Sequence, residues 1–345
     1  MTGQHTAPTV PAPSDAPPAI SARGLSKRFG RVVAVSGLDL DVPAGTIFGL
    51  LGPNGAGKTT TIRILTGLAQ PTAGSATVDG IPVGLDQTDL RRRIGYLDQD
   101  PRFYSWMRGR ELLDLVGRLA GLAGPKLRSR LDEMLERVGL ADAADRRIGG
   151  YSGGMRQRLG VAQALLGRPS VLFLDEPVSS LDPEGRRDLL ELIGSLRGEM
   201  TVVLSTHVLA DVERVCDRVA ILDRGRLVIE SGLEDLLTAH ARPIYRLSPE
   251  PDQASVVDAF LDALRAASWV DSVAVARDGA LAITVADPAT AGASIVPLLA
   301  ATGVRVQSLE RSRPSLEEVF LALIGPRGAD EVDGRGFVRP REVDA

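Results

Sequence analysis

The sequence predicts an α/β fold in two domains, and three observations support this prediction. A glycine-rich loop at 52–60 follows a short apolar stretch and precedes a segment whose apolar residues have helical spacing. Two further apolar stretches, 171–174 and 202–204, are typical of buried strands, and each is followed by polar residues. After about residue 240 the glycine loops stop, and short strands and helices alternate in the order βαββαβ, which is typical of a small split βαβ domain.

Length and composition narrow the class of protein. A chain of 345 residues can bury a full core and is long enough for two domains. A net charge of −4 gives no general case for a nucleic-acid partner. The single cysteine, Cys216, excludes an internal disulfide and suits a reducing compartment. No apolar run reaches the roughly 20 residues of a membrane span, and the N-terminus lacks the apolar core of a signal peptide. We therefore expect the chain alone to be soluble and any membrane role to need a partner.

The N-terminal stretch, residues 1–19, is rich in Pro, Ala and Thr. Its apolar surface is too small to offset the entropy of ordering, so we expect a disordered tail. The pattern becomes strand-like from residue 20, where the first domain is expected to begin. Phe29 follows in this region, and its side chain has two possible environments. It can join the core, or it can stack on a purine ring, which needs only a flat apolar face.

The loop at 52–60 reads Gly-Pro-Asn-Gly-Ala-Gly-Lys-Thr-Thr and predicts a phosphate site between a strand at 46–51 and a helix at 61–68. Its glycines let successive backbone N–H groups converge on one anion, and the helix N-terminus adds partial positive charge. Lys58 is expected to reach the β- and γ-phosphates, and the Thr59 hydroxyl to ligate Mg²⁺. Only three of the 40 basic residues are lysines, so a lysine kept here argues against an ordinary surface turn.

The segment after this helix contains turns and then an unusual aromatic cluster. Residues 71–80 are predicted to be turn-rich, and 94–97 form a strand that ends before Gln99. Aromatic residues make up 4% of the chain, but four of them lie between Tyr96 and Trp106. The cluster is expected either to be local core or to be an exposed patch that binds a partner, because such side chains are enriched in interface cores.

Residues 108–167 are predicted to be helical, and one helix start within them is of interest. Ser152 is a natural N-cap, and Gly153 and Gly154 leave backbone N–H groups uncovered. This helix terminus is a second place suited to an anion, although a capped glycine start is more often structural.

Acidic and imidazole side chains follow the two buried strands. Asp175 and Glu176 come directly after 171–174, where carboxylates are costly unless a metal or solvent serves them, so we expect Mg²⁺. His207 follows 202–204. A lone histidine is more often structural, but strand ends that meet at one edge of a sheet favour a functional role here.

The C-terminal region is predicted to be an accessory α/β domain at 241–325. Its strands are expected at 244–247, 270–275, 281–285 and 304–309, and its helices at 256–264, 295–301 and 316–323. Residues 326–345 are rich in Gly, Arg and acidic residues, and this composition predicts a second disordered tail.

The motifs at 20–235 together resemble the nucleotide-binding subunits of ATP-binding-cassette (ABC) transporters. The loop at 52–60 resembles the Walker A motif, Gln99 the Q-loop, and Tyr151–Gln157 the family signature. Leu172–Glu176 is similar to Walker B, and His207 to the switch histidine. The D-loop resemblance rests on Ser180, Leu181 and Asp182. Two positions depart from the usual pattern: Phe29 stands where the family usually has Tyr, and Tyr151 where Leu is commonest.

This resemblance implies an ABC-type P-loop NTPase fold in a domain at 20–240. That fold has a RecA-like core, an antiparallel β subdomain and a helical signature subdomain at about 100–167. The resemblance implies ATP and Mg²⁺ as ligands. Nucleotide contacts are then expected from Phe29, Gly52, Pro53, Asn54, Gly55, Ala56, Gly57, Lys58, Thr59, Thr60 and Gln99. Magnesium is expected at Thr59, Gln99 and Asp175, with Glu176 polarising the attacking water and His207 contacting the γ-phosphate. Contacts to ATP of a second subunit are expected from Ser152, Gly153, Gly154 and Gln157.

The segment 314–321 refines the resemblance towards ATPase subunits of daunorubicin-resistance exporters. It implies an ATP hydrolase coupled to transport of a drug, antibiotic or other hydrophobic compound. The expected partners are a separate membrane-spanning permease and a second copy of the chain, head-to-tail around two ATP, at the cytoplasmic face of the membrane, without nucleic acid. Two alternatives remain: an uptake ATPase, disfavoured by the βαββαβ appendage, and a non-transport ABC ATPase, disfavoured by the single cassette and the lack of heptads.

Overall fold

The computed structural model describes residues 17–84, 88–179, 181–239, 244–251, 253–276, 279–312 and 315–324. Most of the predicted N-terminal tail, the whole tail at 326–345 and Ser180 lie outside the described residues. The described chain divides into two compact units: the first runs to Leu233 and also includes Leu323 and Ile324, and the second comprises Glu234–Ala322. Among the described residues, no helix is both long and apolar enough to cross a bilayer.

A six-stranded sheet forms the centre of the first unit. Its spatial order is β10-β9-β3-β8-β7-β6, and only β10 runs antiparallel to its neighbour. The central strands are buried on both faces, which explains their unbroken apolar sequences. The strands are β3 (Ile47–Leu51), β6 (Ile94–Leu97), β7 (Val171–Asp175), β8 (Thr201–Thr206), β9 (Arg218–Asp223) and β10 (Arg226–Gly232).

A second, antiparallel sheet has the order β2-β1-β4-β5. Its strands are β1 (Ile20–Phe29), β2 (Val32–Val42), β4 (Ala73–Val78) and β5 (Ile81–Pro82). The turn-rich prediction for 71–80 is wrong, because most of that segment is β4. Ala76 and Val78 are buried there and alternate with more exposed neighbours. Gly74 and Gly80, both with positive φ, mark the ends of the strand and obscure its period in the sequence.

Eight helices of the described chain precede β11, the first strand of the C-terminal sheet. The segment predicted as helical, 108–167, contains three of them, separated by glycine-containing breaks and two single 3₁₀ turns, Ala141–Ala143 and Ile148–Gly150. The helices are α1 (Lys58–Leu65), α2 (Thr88–Arg93), α3 (Gly109–Leu119), α4 (Gly124–Arg137), α5 (Gly153–Leu166), α6 (Pro183–Ser195), α7 (Leu209–Val215) and α8 (Leu233–Ala239).

The second unit has the predicted βαββαβ order. Its four-stranded antiparallel sheet has the order β12-β13-β11-β14, and its core includes Leu247, Phe260 and Leu264. The buried side-chain amide of Gln253 donates to the carbonyls of Glu250 and Arg305 and accepts from the Arg305 N–H, which ties β11 to β14. The elements are β11 (Ile244–Pro249), α9 (Ala254–Ala266), β12 (Val270–Val275), β13 (Leu281–Val285), α10 (Pro288–Thr302), β14 (Val306–Ser312) and α11 (Leu316–Ile324).

We expect a protein that lacks residues 241–345 to keep its first unit folded. The apolar core of that unit runs from Ala19 to Leu222, and a separate core, from Tyr245 to Val304, serves the second unit. The truncated protein should therefore unfold in one cooperative thermal transition when followed by circular dichroism beside the full chain. A broad, non-cooperative loss of signal would place the domain boundary elsewhere.

Candidate functional site

The glycine loop between β3 and α1 has a backbone path that only glycine permits at two positions. Gly57 has φ 104°, and a Cβ there would lie 2.5 Å from the Ala34 carbonyl oxygen. Gly52 has φ 150°, and its Cβ would lie 2.3 Å from the Leu222 carbonyl oxygen. The loop is thus closely backed by protein and leads directly into the N-terminus of α1, a geometry suited to an anion.

Lys58, the first residue of α1, is buried and folds back over this loop. Its ammonium donates to the carbonyl oxygens of Gly52 at 2.7 Å and Pro53 at 3.3 Å, and it lies 3.6 Å from Glu176 Oε1. Burial lowers the pKa of Lys58, while the charges of Glu176 and Asp175 act in the opposite direction. A bound anion would favour the charged ammonium further, so the position suits phosphate.

Asp175, at the end of β7, is completely buried and only half satisfied. Its Oδ1 accepts from the Thr59 hydroxyl at 3.1 Å and from the Ser205 hydroxyl at 2.5 Å. Its Oδ2 is buried and has no hydrogen-bond partner among the described residues. A buried carboxylate oxygen without a partner is costly, so this oxygen is suited to a cation.

Mg²⁺ fits this pair of side chains. Hydroxyl and carboxylate oxygens are hard ligands, and Mg²⁺ is commonly held by one or two carboxylates together with substrate phosphates. In the described part of the chain no group of three His, Cys, Asp or Glu side chains could hold a metal ion by itself. A cation at Thr59 and Asp175 would therefore depend on the anion in the loop.

Glu176 is held between the strand ends with its carboxylate facing His207. Its Oε2 lies 2.9 Å from His207 Nδ1, and its other oxygen is the one near Lys58. Glu176 has φ 48°, a left-handed conformation that is uncommon outside glycine. Non-glycine residues in such conformations are enriched at active sites, where the surrounding structure compensates for the strain.

Ser205 joins the two acidic residues, and sequence reasoning gave it no role. Besides donating to Asp175, its hydroxyl accepts from the Glu176 backbone N–H at 3.0 Å. Its position results from the parallel register, in which Asp175 of β7 pairs with Ser205 of β8. A serine at the end of a buried strand, next to a strand that ends in acids, is the sequence signal that identifies it.

Two predicted nucleotide contacts lie outside this cluster. Phe29 is 55% exposed, which rules out the core alternative, and the Lys27 ammonium lies 5.0 Å from its ring centre. Gln99 is exposed two residues beyond Leu97, which pairs with Leu174. The register therefore places Gln99 at the same sheet edge as Asp175.

The predicted signature residues begin α5, as expected. The Ser152 hydroxyl caps the helix by accepting from the Met155 N–H at 3.2 Å. A Cβ on Gly154 would lie 3.3 Å from Leu181, so this helix start faces the D-loop segment of its own chain. Gln157 is buried, and its amide nitrogen has no partner among the described residues. Within the described chain, no hydrogen bond or ion pair joins this helix start to Lys58, Asp175 or Glu176.

The D-loop residues Leu181 and Asp182 lead directly into α6. Leu181 is half-buried, and the Asp182 side chain caps the helix by accepting from the Gly185 N–H at 3.0 Å.

The aromatic cluster is partly an exposed surface. Tyr104 and Trp106 are 60% and 67% exposed, and their ring centres are 5.7 Å apart. Phe103 is half-buried near Gly160 of α5. The alternative that the cluster forms local hydrophobic core is thus wrong for Tyr104 and Trp106. Their segment is also bound by backbone hydrogen bonds to the residues before the signature, from Ile148 to Met107 and from Gly149 to Ser105.

Comparison with known proteins agrees with this geometry. A sequence model of the family described as ABC transporter matches residues 35–179. An ABC transporter ATP-binding protein of Bacillus subtilis is 41% identical over 305 residues, which cover 88% of this chain and 99% of the relative. A daunorubicin resistance ATP-binding protein of Streptomyces coeruleorubidus is 38% identical over 315 residues, which cover 90% of this chain and 96% of the relative. A solved dimeric post-hydrolysis state of an ATP-binding cassette with ADP and phosphate aligns with a TM-score of 0.57 at 26% identity, covering 62% of this chain and 98% of that one.

The fold and the site define a nucleotide-binding protein of the P-loop class. The chain belongs to the ABC transporter ATP-binding protein family. The fold class predicted from the sequence is confirmed. The relatives support an exporter ATPase.

Ser205→Ala should destabilise the protein by about 1–3 kcal/mol, because it removes one hydrogen bond from the buried Asp175 carboxylate and one from the buried Glu176 N–H. Urea unfolding measures the free energy. Ser195→Ala is the matched control, since that hydroxyl is exposed and bonds only a local helical carbonyl. Equal losses in the two variants would show that Ser205 does not support the acidic pair.

Proposed function

We propose that this chain is the ATP-hydrolysing subunit of an exporter, powering efflux of a drug, antibiotic or other hydrophobic compound through a separate permease. The observation that carries the proposal is a cluster at one sheet edge, in which Lys58, Asp175 and Glu176 are buried and His207 is partly exposed. Cationic, metal-ligating and basic groups that converge beside an anion-binding loop are the groups that phosphoryl transfer to water requires. The proposed reaction class is therefore that of a transport-coupled ATP hydrolase, a translocase.

Each residue of the cluster has a proposed role. Lys58 and the N–H groups of the loop bind the phosphates, and Thr59, Asp175 and Gln99 hold Mg²⁺. When bound, Mg²⁺ neutralises charge that develops on the transferred phosphoryl group. The half-satisfied Asp175 carboxylate supports this assignment, because one of its oxygens remains available. Phe29 offers its exposed ring to the adenine.

Glu176 is proposed to orient and deprotonate the attacking water. Its carboxylate is buried, so it is shielded from bulk solvent, and its two oxygens face Lys58 and His207. His207 is proposed to keep the Glu176 side chain in place through this contact and to reach the γ-phosphate.

A head-to-tail dimer is proposed because, among the described residues, no hydrogen bond or ion pair joins the signature helix start to Lys58, Asp175 or Glu176 of the same chain. Ser152 is exposed, and the two glycines after it add no side chain that would cover the helix terminus. Such a terminus can donate to phosphate held by a second copy. The solved cassette dimer among the structural relatives supports the dimeric state in this proposal.

The aromatic pair Tyr104 and Trp106 is proposed to bind a cytoplasmic segment of the permease, which would hold this chain at the membrane. The pair lies seven residues or fewer beyond Gln99, and the backbone carbonyls of its neighbours Ser105 and Met107 accept from the segment before the signature. A partner bound there would therefore be linked along the chain to Gln99 and, through these hydrogen bonds, to the segment that precedes the signature.

Glu176→Gln should bind ATP but hydrolyse it about 10²–10⁴-fold more slowly, because a positioned base is lost. ATP should then accumulate in a stable dimer. Phosphate release and size-exclusion chromatography with Mg-ATP measure the two effects. Glu184→Gln, on the exposed first turn of α6, is the matched control and should behave like the unchanged protein. Near-normal turnover in Glu176→Gln would remove Glu176 from the role of base.

Trp106→Ala should weaken co-purification with the permease more than tenfold, since an interface aromatic commonly contributes about 2 kcal/mol. Its melting temperature should change little because the ring is largely exposed. Leu119→Ala, an exposed apolar residue at the far end of α3, is the control. A large fall in melting temperature with unchanged permease binding would sink the proposed contact.

A further inference from the structure

We propose that Arg186 and Asp211 form a positioning pair that keeps the D-loop segment and the His207 segment of one chain in register during ATP hydrolysis. This inference rests on the proposed function. It concerns neither nucleotide contact nor metal binding, because both side chains lie on helices behind the site.

The pair joins the first turns of two helices that begin beside the site. Arg186 lies four residues after Asp182, the N-cap of α6, and Asp211 lies four residues after His207, in the first turn of α7. Two nitrogens of the guanidinium contact the same carboxylate oxygen: Nε at 2.8 Å and Nη2 at 2.7 Å from Asp211 Oδ1. Two helices that otherwise belong to different strand–helix units are thereby connected.

Burial of Asp211 makes this contact more costly to break than a surface ion pair. Asp211 is only 4% exposed, and its Oδ2 has no hydrogen-bond partner among the described residues. Burial raises the pKa of the Asp211 carboxyl, while the Arg186 guanidinium acts in the opposite direction. A shift of either helix would leave the buried carboxylate of Asp211 without its hydrogen-bonded counter-charge, which is costly.

The pair adds a connection on the helix side of the site to a connection on its strand side. Ser205 ties Asp175 and Glu176 to the end of β8, on the strand side of the site. Arg186–Asp211 ties α6 to α7, on the helix side of the site. The loop carrying Leu181 and Asp182 and the loop carrying His207 are thus each held at both ends. A group that is misplaced by about 1 Å can lose a large part of its catalytic effect.

An exposed ion pair between the same helices allows the positioning role to be separated from plain helix packing. Arg214 of α7 donates to Glu191 of α6 at 2.9 Å, farther from the site and largely open to solvent. If any bridge between α6 and α7 sufficed, losing this pair would matter as much.

The experiment is a double-mutant cycle on the full chain with Asp211→Asn, Arg186→Gln and the two combined. Mg-ATP hydrolysis is measured for kcat and KM, and melting temperature is measured on the same samples. Each single change should lower kcat on the order of tenfold with KM for ATP little changed, and the combination should be no slower than the slower single variant.

Two control variants accompany the cycle. Arg186→Lys keeps the charge but loses the paired nitrogens, so its kcat should fall between those of Arg186→Gln and the unchanged protein. Glu191→Gln should keep full kcat.

Four results would overturn the inference. The folded variants could retain normal kcat, the two single effects could multiply independently, or Glu191→Gln could lower kcat equally. A rise in KM with unchanged kcat would likewise assign the pair to binding rather than positioning. If Asp211→Asn melts without cooperativity, Arg186→Lys decides alone, since Arg186 is one-third exposed in its side chain. Absence of hydrolysis in the unchanged protein would instead overturn the proposed function, and the inference with it.

Discussion

The buried carboxylate of Asp175 is the group on which the geometry of the site depends. One of its oxygens accepts from Thr59 of the phosphate-loop helix and from Ser205 of the adjacent strand, so it fixes α1 and β8 relative to β7. The other oxygen has no partner among the described residues. A charge buried this deeply is stabilised only when its hydrogen bonds and a counter-charge are supplied. Lys58 lies close, but its nearest acidic partner is Glu176. The proposed cation completes this environment, which is why folding and nucleotide binding are expected to reinforce each other.

The parallel sheet brings these groups together without long connections. Strands β3, β7 and β8 run in the same direction, so the phosphate loop, the acidic pair and His207 all emerge at one edge. Each strand is followed by a helix start, at α1, α6 and α7. Neighbouring strand–helix pairs are then connected by the Ser205 hydrogen bonds at the strand ends and by the Arg186–Asp211 ion pair between the helices. The site thus depends on how neighbouring strands and helices are aligned, and not on any one motif.

Much of this could be predicted from the sequence, because the deciding features are local. The glycine spacing of 52–60 and the apolar runs before Asp175 and His207 depend only on neighbours in the chain. The strand β4 escapes sequence prediction because flanking glycines hide its alternation, and β9 and β10 escape it because no polar motif marks them. Ser205, Arg186 and Asp211 could not be assigned either. Their roles arise from pairing across strands and helices that lie 20 or more residues apart.

The aromatic segment shows a further limit of sequence reasoning. Its composition allows either burial or exposure, and only the fold decides between them. Phe103 points towards α5, whereas Tyr104 and Trp106 remain exposed with their rings side by side. Neighbouring residues of one type thus have different environments, because a turn precedes α3 and redirects successive side chains.

The most direct test of the role of Asp175 is phosphate release by the purified chain at saturating ATP while Mg²⁺ is titrated from zero. Turnover should rise from the buffer background to a plateau with Mg²⁺. Asp175→Asn should need a much higher Mg²⁺ concentration to reach half of its own plateau, because the available carboxylate oxygen is replaced by a neutral amide. Turnover that is equal in chelator and in Mg²⁺, or an unchanged Mg²⁺ requirement in Asp175→Asn, would contradict the assignment of this buried carboxylate.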